Sequence, residues 1–342
     1  MAPTNTPVAR RVLSAAAAAA LGLSLTACSA LSTESSEPSG SDAPKDASGT
    51  LSVAVSFYPI QYLAETIGGD HVSVTSLTPT NVEPHDYDLS GKEVISTLEG
   101  SSLVAYVAGF QPSLDKAVAQ ISGPTVIDLS GEVDLQHHEG VEDEDEHGEA
   151  SDGTTEKATG EAGHEGHDHD AGSLDPHFWL DPVRMKSAAT AVEEALAAAD
   201  PDNADDYKAN LDSLTTTLDG LDSSYKGGLT RCERKTFITS HAAFGYLADR
   251  YGLTQVSISG IDPETEPSAA DIAAAKKAVE DTDSTTIFTE ELLSPEIADA
   301  IASETGATTD VLSPIESAPE DTDYAGTMSN NLDALRTALA CK

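Results

Sequence analysis

The chain has 342 residues, and its 59 acidic side chains against 18 Lys and Arg give a formal net charge of −41. Phosphate backbones are repelled by a surface of this sign, so we expect no nucleic-acid partner. Apolar residues make up 39% of the chain, which is enough for a globular core if much of the charge lies outside it. Three cysteines are too few for a disulfide scaffold, and the length suggests two domains.

The N-terminus predicts export from the cytoplasm. Arg10 and Arg11 precede an apolar run over 12–27, which is typical of a signal peptide and short for a membrane span of about 20 residues. The run ends in LTAC, which resembles the bacterial lipoprotein box, in which cleavage leaves a lipid-modified cysteine at the new N-terminus. We therefore predict a signal peptide over 1–27 and lipidation of Cys28. The arginine pair leaves general and twin-arginine export both open.

A tether is predicted over residues 28–49, which are rich in Ser, Pro, Gly, Asp and Glu and read as flexible chain. No later stretch is apolar enough to span a bilayer. We expect the remainder to face an extracytoplasmic space, anchored to the outer face of the cell membrane through the lipid on Cys28.

From Leu51 onward, short β-branched runs alternate with helical stretches, which indicates an α/β fold with parallel strands. Strands are predicted at 51–56, 72–77, 103–107 and 125–129. Helices are predicted at 60–67, 92–98 and 113–120. These elements assign an N-terminal lobe to residues 50–180.

Residues 132–172 form an acidic, His-rich insert in that lobe. The insert contains fifteen acidic residues, one lysine and six histidines, and it lacks apolar periodicity. Such a segment cannot bury a core and is predicted to be a mobile loop. Its histidines are His137, His138, His147, His164, His167 and His169.

Two linking helices are predicted over 181–230. Asp181 and Pro182 are typical of an N-cap and first helical residue, opening a helix to about residue 199. The second helix carries one apolar stripe with spacings of three and four: Ala204, Tyr207, Leu211, Leu214, Leu218, Leu221 and Tyr225. At 1.5 Å per residue it is roughly 35 Å long and can run along both halves as a shared spine. The stripe lacks the clear flanking charge pairs of a coiled-coil dimer, so we expect a monomer.

A C-terminal lobe is predicted over 231–342. Its strands are expected at 236–239, 256–259, 285–289 and 308–312, with helices at 242–251, 268–281 and 295–305. The chain is thus predicted to form two similar α/β lobes joined by a long helix.

Three histidines outside the insert lie at strand exits or in loops, where parallel α/β sheets place their ligand sites: His85, His177 and His241. His71 precedes a strand and has no such context. Each histidine alone has an ordinary structural explanation, but together they predict a metal site. Three imidazoles and one oxygen complete the tetrahedron that Zn²⁺ prefers. Nearby Asp86, Asp175 and Asp181 are candidates to orient the rings, although turns and helix caps also explain them.

The segments EPHDY, DPHFWLDP, SHAAFGY and ETEPS, together with the acidic insert, resemble the zinc-binding lipoproteins of ABC metal importers (ZnuA-type, TroA-like). The resemblance covers nearly the whole chain after the tether. It implies two four-stranded parallel-sheet α/β lobes joined by a rigid helix, with the metal in the cleft between them. The family's ligand positions fall on His85, His177 and His241. The implied function is capture of Zn(II) with high affinity and delivery to an ABC permease, without enzymatic activity.

The fourth ligand is less well defined by the resemblance. In manganese and iron members a Glu takes the place of His241 and a C-terminal-lobe Asp binds the metal. Here that segment reads LSPI over 312–315, with Ser313 in place of the Asp. Three imidazoles favour zinc over manganese. We predict Glu83 as the fourth ligand, with a water or a residue near Ser313 as alternatives.

The insert is similar to one common in zinc members of the family. Its histidines are predicted to form a weak, multivalent secondary zinc site that raises the local zinc concentration or senses excess. A solvated low-complexity segment without a specific role is the alternative.

Cys232 and Cys341 are predicted to form a disulfide that holds the C-terminal helix. Closing a loop of this length contributes up to roughly 4 kcal/mol in the chain-entropy model. A thiolate zinc site is the alternative, but neither cysteine lies in a CxxC motif.

Other functions remain open at this stage. A secreted zinc hydrolase also uses three histidines beside a carboxylate, although the chain has no HExxH motif. A manganese-uptake protein or a surface adhesin would share the same fold.

Overall fold

The structure is a computed structural model of the chain, and it describes residues 49–138, 174–263 and 265–342. The predicted signal peptide, Cys28 and nearly all of the tether lie outside these residues. So do four insert histidines: His147, His164, His167 and His169. No helix in the described part is both long enough and apolar enough to cross a membrane.

The N-terminal half forms a four-stranded parallel sheet with the order β2-β1-β3-β4. Its strands are β1 (Leu51–Val55), β2 (Val72–Ser76), β3 (Leu103–Tyr106) and β4 (Thr125–Asp128). Its helices are α1 (Tyr58–Gly68), α2 (Lys92–Gly100) and α3 (Pro112–Val118). The predicted elements all occur here, with ends displaced by one or two residues.

Two helices follow, α4 (Pro182–Ala199) and α5 (Ala204–Gly228), and they pack against each other. Asp181 caps α4 by accepting a hydrogen bond from the Val183 N–H at 2.9 Å, with Pro182 in the first turn. The stripe of α5 is buried from Tyr207 to Tyr225. Because α5 packs against both α1 and the last helix, it serves as the predicted spine.

The C-terminal half repeats the arrangement, with a parallel sheet ordered β6-β5-β7-β8. Its strands are β5 (Thr236–Thr239), β6 (Thr254–Ser257), β7 (Thr286–Thr289) and β8 (Thr308–Val311). Its helices are α6 (Gly245–Tyr251), α7 (Ala269–Asp281), α8 (Glu296–Thr305) and α9 (Tyr324–Ala338). The fold-class prediction of two four-stranded parallel lobes is confirmed.

Two elements in this half differ from the prediction by two or three residues, and the others by at most one. Strand β6 begins two residues early, because Thr254 and Gln255 pair with β5 although their side chains are polar. Helix α6 begins three residues late, because 240–244 form the turn that carries His241 and leads to the N-cap at Phe244.

The core has three clusters that explain this layering. One covers the face of the first sheet next to α2 and α3, and another lies between the second sheet and α7 and α8. The largest cluster is shared: it joins β1, α1, α4 and α5 to Phe237 of β5 and to α6 and α9. Burial of this apolar surface is what holds the two lobes against the linking helices.

Candidate metal centre

Four buried side chains from separate segments meet between the lobes: His85, His177, His241 and Glu316. His85 follows β2, His241 follows β5 and Glu316 follows β8. His177 directly precedes the short 3₁₀ turn Phe178–Leu180 that leads into α4. Three of the four therefore lie beyond the carboxyl ends of parallel strands, where this class of fold places ligands.

The donor atoms are spaced like the corners of a tetrahedron. The Nε2 atom of His177 lies 3.3 Å from that of His85 and 3.4 Å from that of His241. Glu316 Oε1 lies 3.3, 3.2 and 3.7 Å from the Nε2 atoms of His85, His177 and His241. A tetrahedron with metal–ligand bonds of about 2.05 Å has edges of about 3.3 Å. Five of the six distances between the donor atoms are thus close to those that a single Zn²⁺ requires.

The ring of His177 is oriented by Asp175, which is fully buried. Asp175 Oδ1 accepts from His177 Nδ1 at 2.7 Å and from the His177 backbone N–H at 2.9 Å. This contact places the proton of the neutral ring on Nδ1 and directs Nε2 into the group of four. Asp175 is therefore an orienting carboxylate, as the sequence suggested.

His241 is oriented in the same manner by Glu290, the residue that follows β7. Glu290 Oε1 lies 2.7 Å from His241 Nδ1 and accepts from the His241 backbone N–H at 3.2 Å. Glu290 was not predicted from the sequence, although it directly follows a predicted strand of the same lobe as His241. In the structure that strand pairs with the strand that precedes His241.

Glu83 does not join the group. Both of its carboxylate oxygens accept from the backbone N–H of His85, at 3.1 and 3.0 Å, and its Oε1 lies 4.0 Å from His85 Nε2. The carboxylate thus closes the turn that carries His85. The geometry favours Glu316 in the fourth position that the sequence analysis assigned to Glu83.

The turn that carries His85 has further support within the N-terminal lobe. Gln111 Nε2 donates to the Pro84 carbonyl at 2.9 Å and to Thr78 Oγ1 at 3.0 Å. The edge of the His85 ring packs against Phe110 with centroids 4.6 Å apart.

A loop after β8 that is held by several hydrogen bonds presents Glu316. Trp179 Nε1 donates to the Pro314 carbonyl at 2.7 Å, and Asn331 exchanges two hydrogen bonds with the backbone of Ser313. Ile315 has φ of 59°, a left-handed conformation that is uncommon for a β-branched residue, directly before Glu316. Because this conformation is not visible in the sequence, the predicted alternative lay near Ser313, three residues short of the carboxylate.

The electrostatics of the group reflect competition between burial and charge. Burial lowers the pKa of His85. Burial acts in the same direction on His177, but the carboxylates of Asp175 and Glu316 outweigh it and raise the pKa of His177 to about 9. Glu316 is the reverse case, since hydrogen bonds from His177 and His85 outweigh burial and hold its pKa far below the usual range. Without a metal, the group therefore holds a proton and a carboxylate charge together.

The other candidate carboxylates lie elsewhere. Asp181 caps α4 and pairs with Arg250, whose Nε donates to its two carboxylate oxygens at 2.9 and 3.0 Å. Asp86 is exposed. Of the three carboxylates considered, Asp175 is the one that contacts a histidine of the group.

Two insert histidines are among the described residues. His137 is exposed, whereas His138 is partly buried and contacts Asp175 and Asp249 through its two ring nitrogens.

The two cysteines of the described part, Cys232 and Cys341, form a disulfide that ties the segment before β5 to the residues after α9.

Comparison with known proteins identifies a family. Residues 53–338 match the family described as ZnuA, zinc-uptake complex component A, periplasmic. The high-affinity zinc uptake system protein ZnuA of Bacillus subtilis is 34% identical over 332 residues, which is 95% of this chain and 96% of that protein.

Two further similarities come from Streptococcus pneumoniae. The zinc-binding lipoprotein AdcA is 33% identical over 300 residues, or 85% of this chain, and this chain spans 56% of that protein. The crystal structure of the Zn(II)-bound ZnuA-like domain of AdcA is similar with a TM-score of 0.67 and 28% identity, covering 85% of this chain and 99% of that domain.

Proposed function

Since the chain belongs to the ZnuA family of zinc-uptake complex components, we propose that it binds Zn(II) through His85, His177, His241 and Glu316 and delivers the ion to an ABC permease. The observation that carries this proposal is the spacing of the four donor atoms, which matches the edges of a zinc tetrahedron. The named relatives of this chain are zinc-binding and zinc-uptake proteins, which supports the same cargo.

The donor set favours zinc over manganese. Imidazole suits zinc, whereas carboxylate, carbonyl and water oxygens suit manganese. One carboxylate beside three imidazoles is a nitrogen-rich site. Metal analysis of protein expressed in medium containing both ions should find zinc, and manganese as the main ion would contradict the assignment.

Capture fits this site better than hydrolysis. Catalytic zinc sites use three protein ligands and keep a fourth position for water. Here a fourth protein donor, Glu316 Oε1, already lies within 3.7 Å of each of the three Nε2 atoms. The site has the closed form of a holding site, in which no water has to be activated.

The four metal-binding side chains come from both lobes, and this explains how the zinc ion would be released. His85 belongs to the N-terminal lobe, and His241 and Glu316 belong to the C-terminal lobe. Asp175 and Glu290 fix two of the rings, so each lobe carries preoriented ligands. Separation of the lobes on docking to the permease would divide the donor set and free the ion.

A lipid on Cys28 would hold the protein at the outer membrane face, beside the permease. The relatives named as lipoproteins support this location. Cys28→Ser should abolish incorporation of labelled fatty acid and release the protein into the medium or periplasm. Retention of the label would refute the assignment.

The insert histidines would form a secondary, weaker zinc site beside the cleft. His137 is exposed in the described part, as such a collector requires. The other members that we assign to it are His147, His164, His167 and His169, which lie outside the described residues.

The test of the cleft site compares two histidine substitutions. His177→Ala removes a buried donor and should weaken zinc binding by more than about 100-fold, beyond the range for residues that only orient a ligand. His71→Ala is the matched control, since His71 is partly exposed and contacts Asp206. Competition against a chelating dye measures both variants, and equal affinities would refute the site.

Delivery needs a cellular test. In a bacterium that lacks its own zinc-binding importer component, the full chain together with its cognate permease should restore growth in chelator-treated medium. The His177→Ala variant should fail at the same expression level. Growth supported equally by both proteins would refute delivery from this site.

A further inference from the structure

The two chain segments that flank the insert are joined by a fixed stem. The Asp175 N–H donates to the Gln136 carbonyl at 2.8 Å. Tyr246 links them again, since its hydroxyl accepts from the Gln136 N–H at 2.7 Å and donates to the Asp175 carbonyl at 2.6 Å. Residues 136 and 175 are therefore held together next to α6.

His138 is the one insert histidine that packs into this stem within the described residues. Its Nδ1 lies 2.7 Å from Asp175 Oδ2, and its Nε2 lies 3.1 Å from Asp249 Oδ2. The ring meets the edge of Tyr246 with centroids 4.4 Å apart. A Cβ added to Gly245 would come within 2.5 Å of the His138 ring, so the ring lies directly on the backbone of α6. Its position is thus fixed on several sides.

Both ring nitrogens of His138 face carboxylates, and ionised carboxylates only accept hydrogen bonds. His138 Nδ1 therefore donates to the buried carboxylate of Asp175 and is not available to a metal ion. This use of the ring is different from the metal-collecting role that the sequence assigned to it together with the other five insert histidines.

Asp175 connects His138 to the zinc site. Its Oδ1 orients His177, and its Oδ2 accepts from His138. The carboxylate is fully buried. A buried carboxylate with a single partner could rotate, whereas partners on both oxygens fix its plane.

We propose that His138 is a positioning residue that locks the Asp175 carboxylate, so that Asp175 holds His177 with Nδ1 protonated and Nε2 directed at zinc. The inference rests on the proposed function, because it concerns a ligand of that site. It assigns to the stem of the insert a role in setting the affinity of the cleft.

Three substitutions test the role. His138→Phe keeps a flat ring against Tyr246 and Gly245 but cannot donate, whereas His138→Gln keeps a donor that can reach Asp175. His71→Gln changes a partly exposed histidine outside the cleft and the insert and is the control. We expect a zinc affinity about tenfold lower for His138→Phe, the low end of the range for residues that orient a ligand. His138→Gln should recover most of the loss, and His71→Gln should match the wild type.

A second readout separates positioning from general destabilisation. In the zinc-loaded protein, the Nδ1–H resonance of His177 in nitrogen-15 NMR should shift in His138→Phe and return towards its wild-type position in His138→Gln. A His138→Phe variant with wild-type affinity and an unchanged resonance overturns the proposal. If His138→Phe does not fold, His138→Leu replaces it, because its smaller side chain also cannot donate. Equal affinities for Leu and Gln would then overturn the proposal.

Failure of this inference is distinguishable from failure of the proposed function. If His177→Ala binds zinc as well as the wild type, the cleft site itself is refuted. If His177→Ala loses zinc but His138→Phe does not, only the role of His138 is refuted.

Discussion

The identity of the fourth ligand can be decided by comparing two carboxylates that lie close to His85. Glu316→Gln keeps the size of a side chain that is 4% exposed but removes its charge. Its Oε1 lies 3.2 to 3.7 Å from the three imidazole nitrogens, so the change removes an anionic donor from the corner of the tetrahedron. We expect zinc affinity to fall by more than about 100-fold, or about 2.7 kcal/mol.

Glu83→Gln is the matched comparison. Glu83 accepts from the His85 backbone N–H, and a glutamine carbonyl can still accept that hydrogen bond. Replacing a charge-assisted hydrogen bond by a neutral one costs about 1 kcal/mol, which corresponds to about a fivefold loss.

The assay is competition of each purified protein against a chelating dye at one pH, with thermal unfolding of the metal-free proteins to confirm that both variants fold. The account requires that Glu316→Gln lower the zinc affinity at least about tenfold more than Glu83→Gln does. A larger loss in Glu83→Gln would restore the original assignment of Glu83 and refute the argument from donor spacing.

Three further outcomes are expected. The apparent zinc affinity should rise from pH 7 to about pH 9 and then level off, because the pKa of His177 is raised to about 9 and zinc must displace its proton at lower pH. Competition titrations at fixed pH values measure the affinity, and an affinity that does not change with pH would contradict this prediction. Replacing Cys232 and Cys341 together by serine should lower the free energy of unfolding by about 2–4 kcal/mol in urea, and an unchanged midpoint would show that the cross-link contributes nothing. Deleting residues 139–173, outside the described part, should remove the weakly bound zinc ions seen in calorimetry and keep one tightly bound ion. Loss of the tightly bound ion would show that the insert is part of the tight site.

The repeated α/β pattern was visible in the sequence because both halves use parallel strands whose apolar runs are short and separated by well-marked helices. Asp181–Pro182 and the stripe from Tyr207 to Tyr225 are local signals, and both appear in the structure as a cap and a buried helix face. The predicted ends of strands were wrong where polar residues pair with a neighbouring strand, as Thr254 does at the start of β6.

The candidate site was only partly accessible to the sequence. The three histidines stand in distinctive segments at strand exits, and the structure brings their Nε2 atoms together. Glu316 was missed because its position depends on the left-handed backbone conformation of Ile315, which the sequence does not show. Glu290 was missed for a related reason, since its contact with His241 joins residues 49 positions apart in the chain.

The most direct measurement is anomalous diffraction at the zinc absorption edge from crystals of the zinc-loaded protein. The account predicts one strong peak at about 2.0–2.1 Å from the Nε2 atoms of His85, His177 and His241, with a Glu316 oxygen as the fourth ligand. A peak bound elsewhere, or one that lacks any of the three imidazoles, would contradict it.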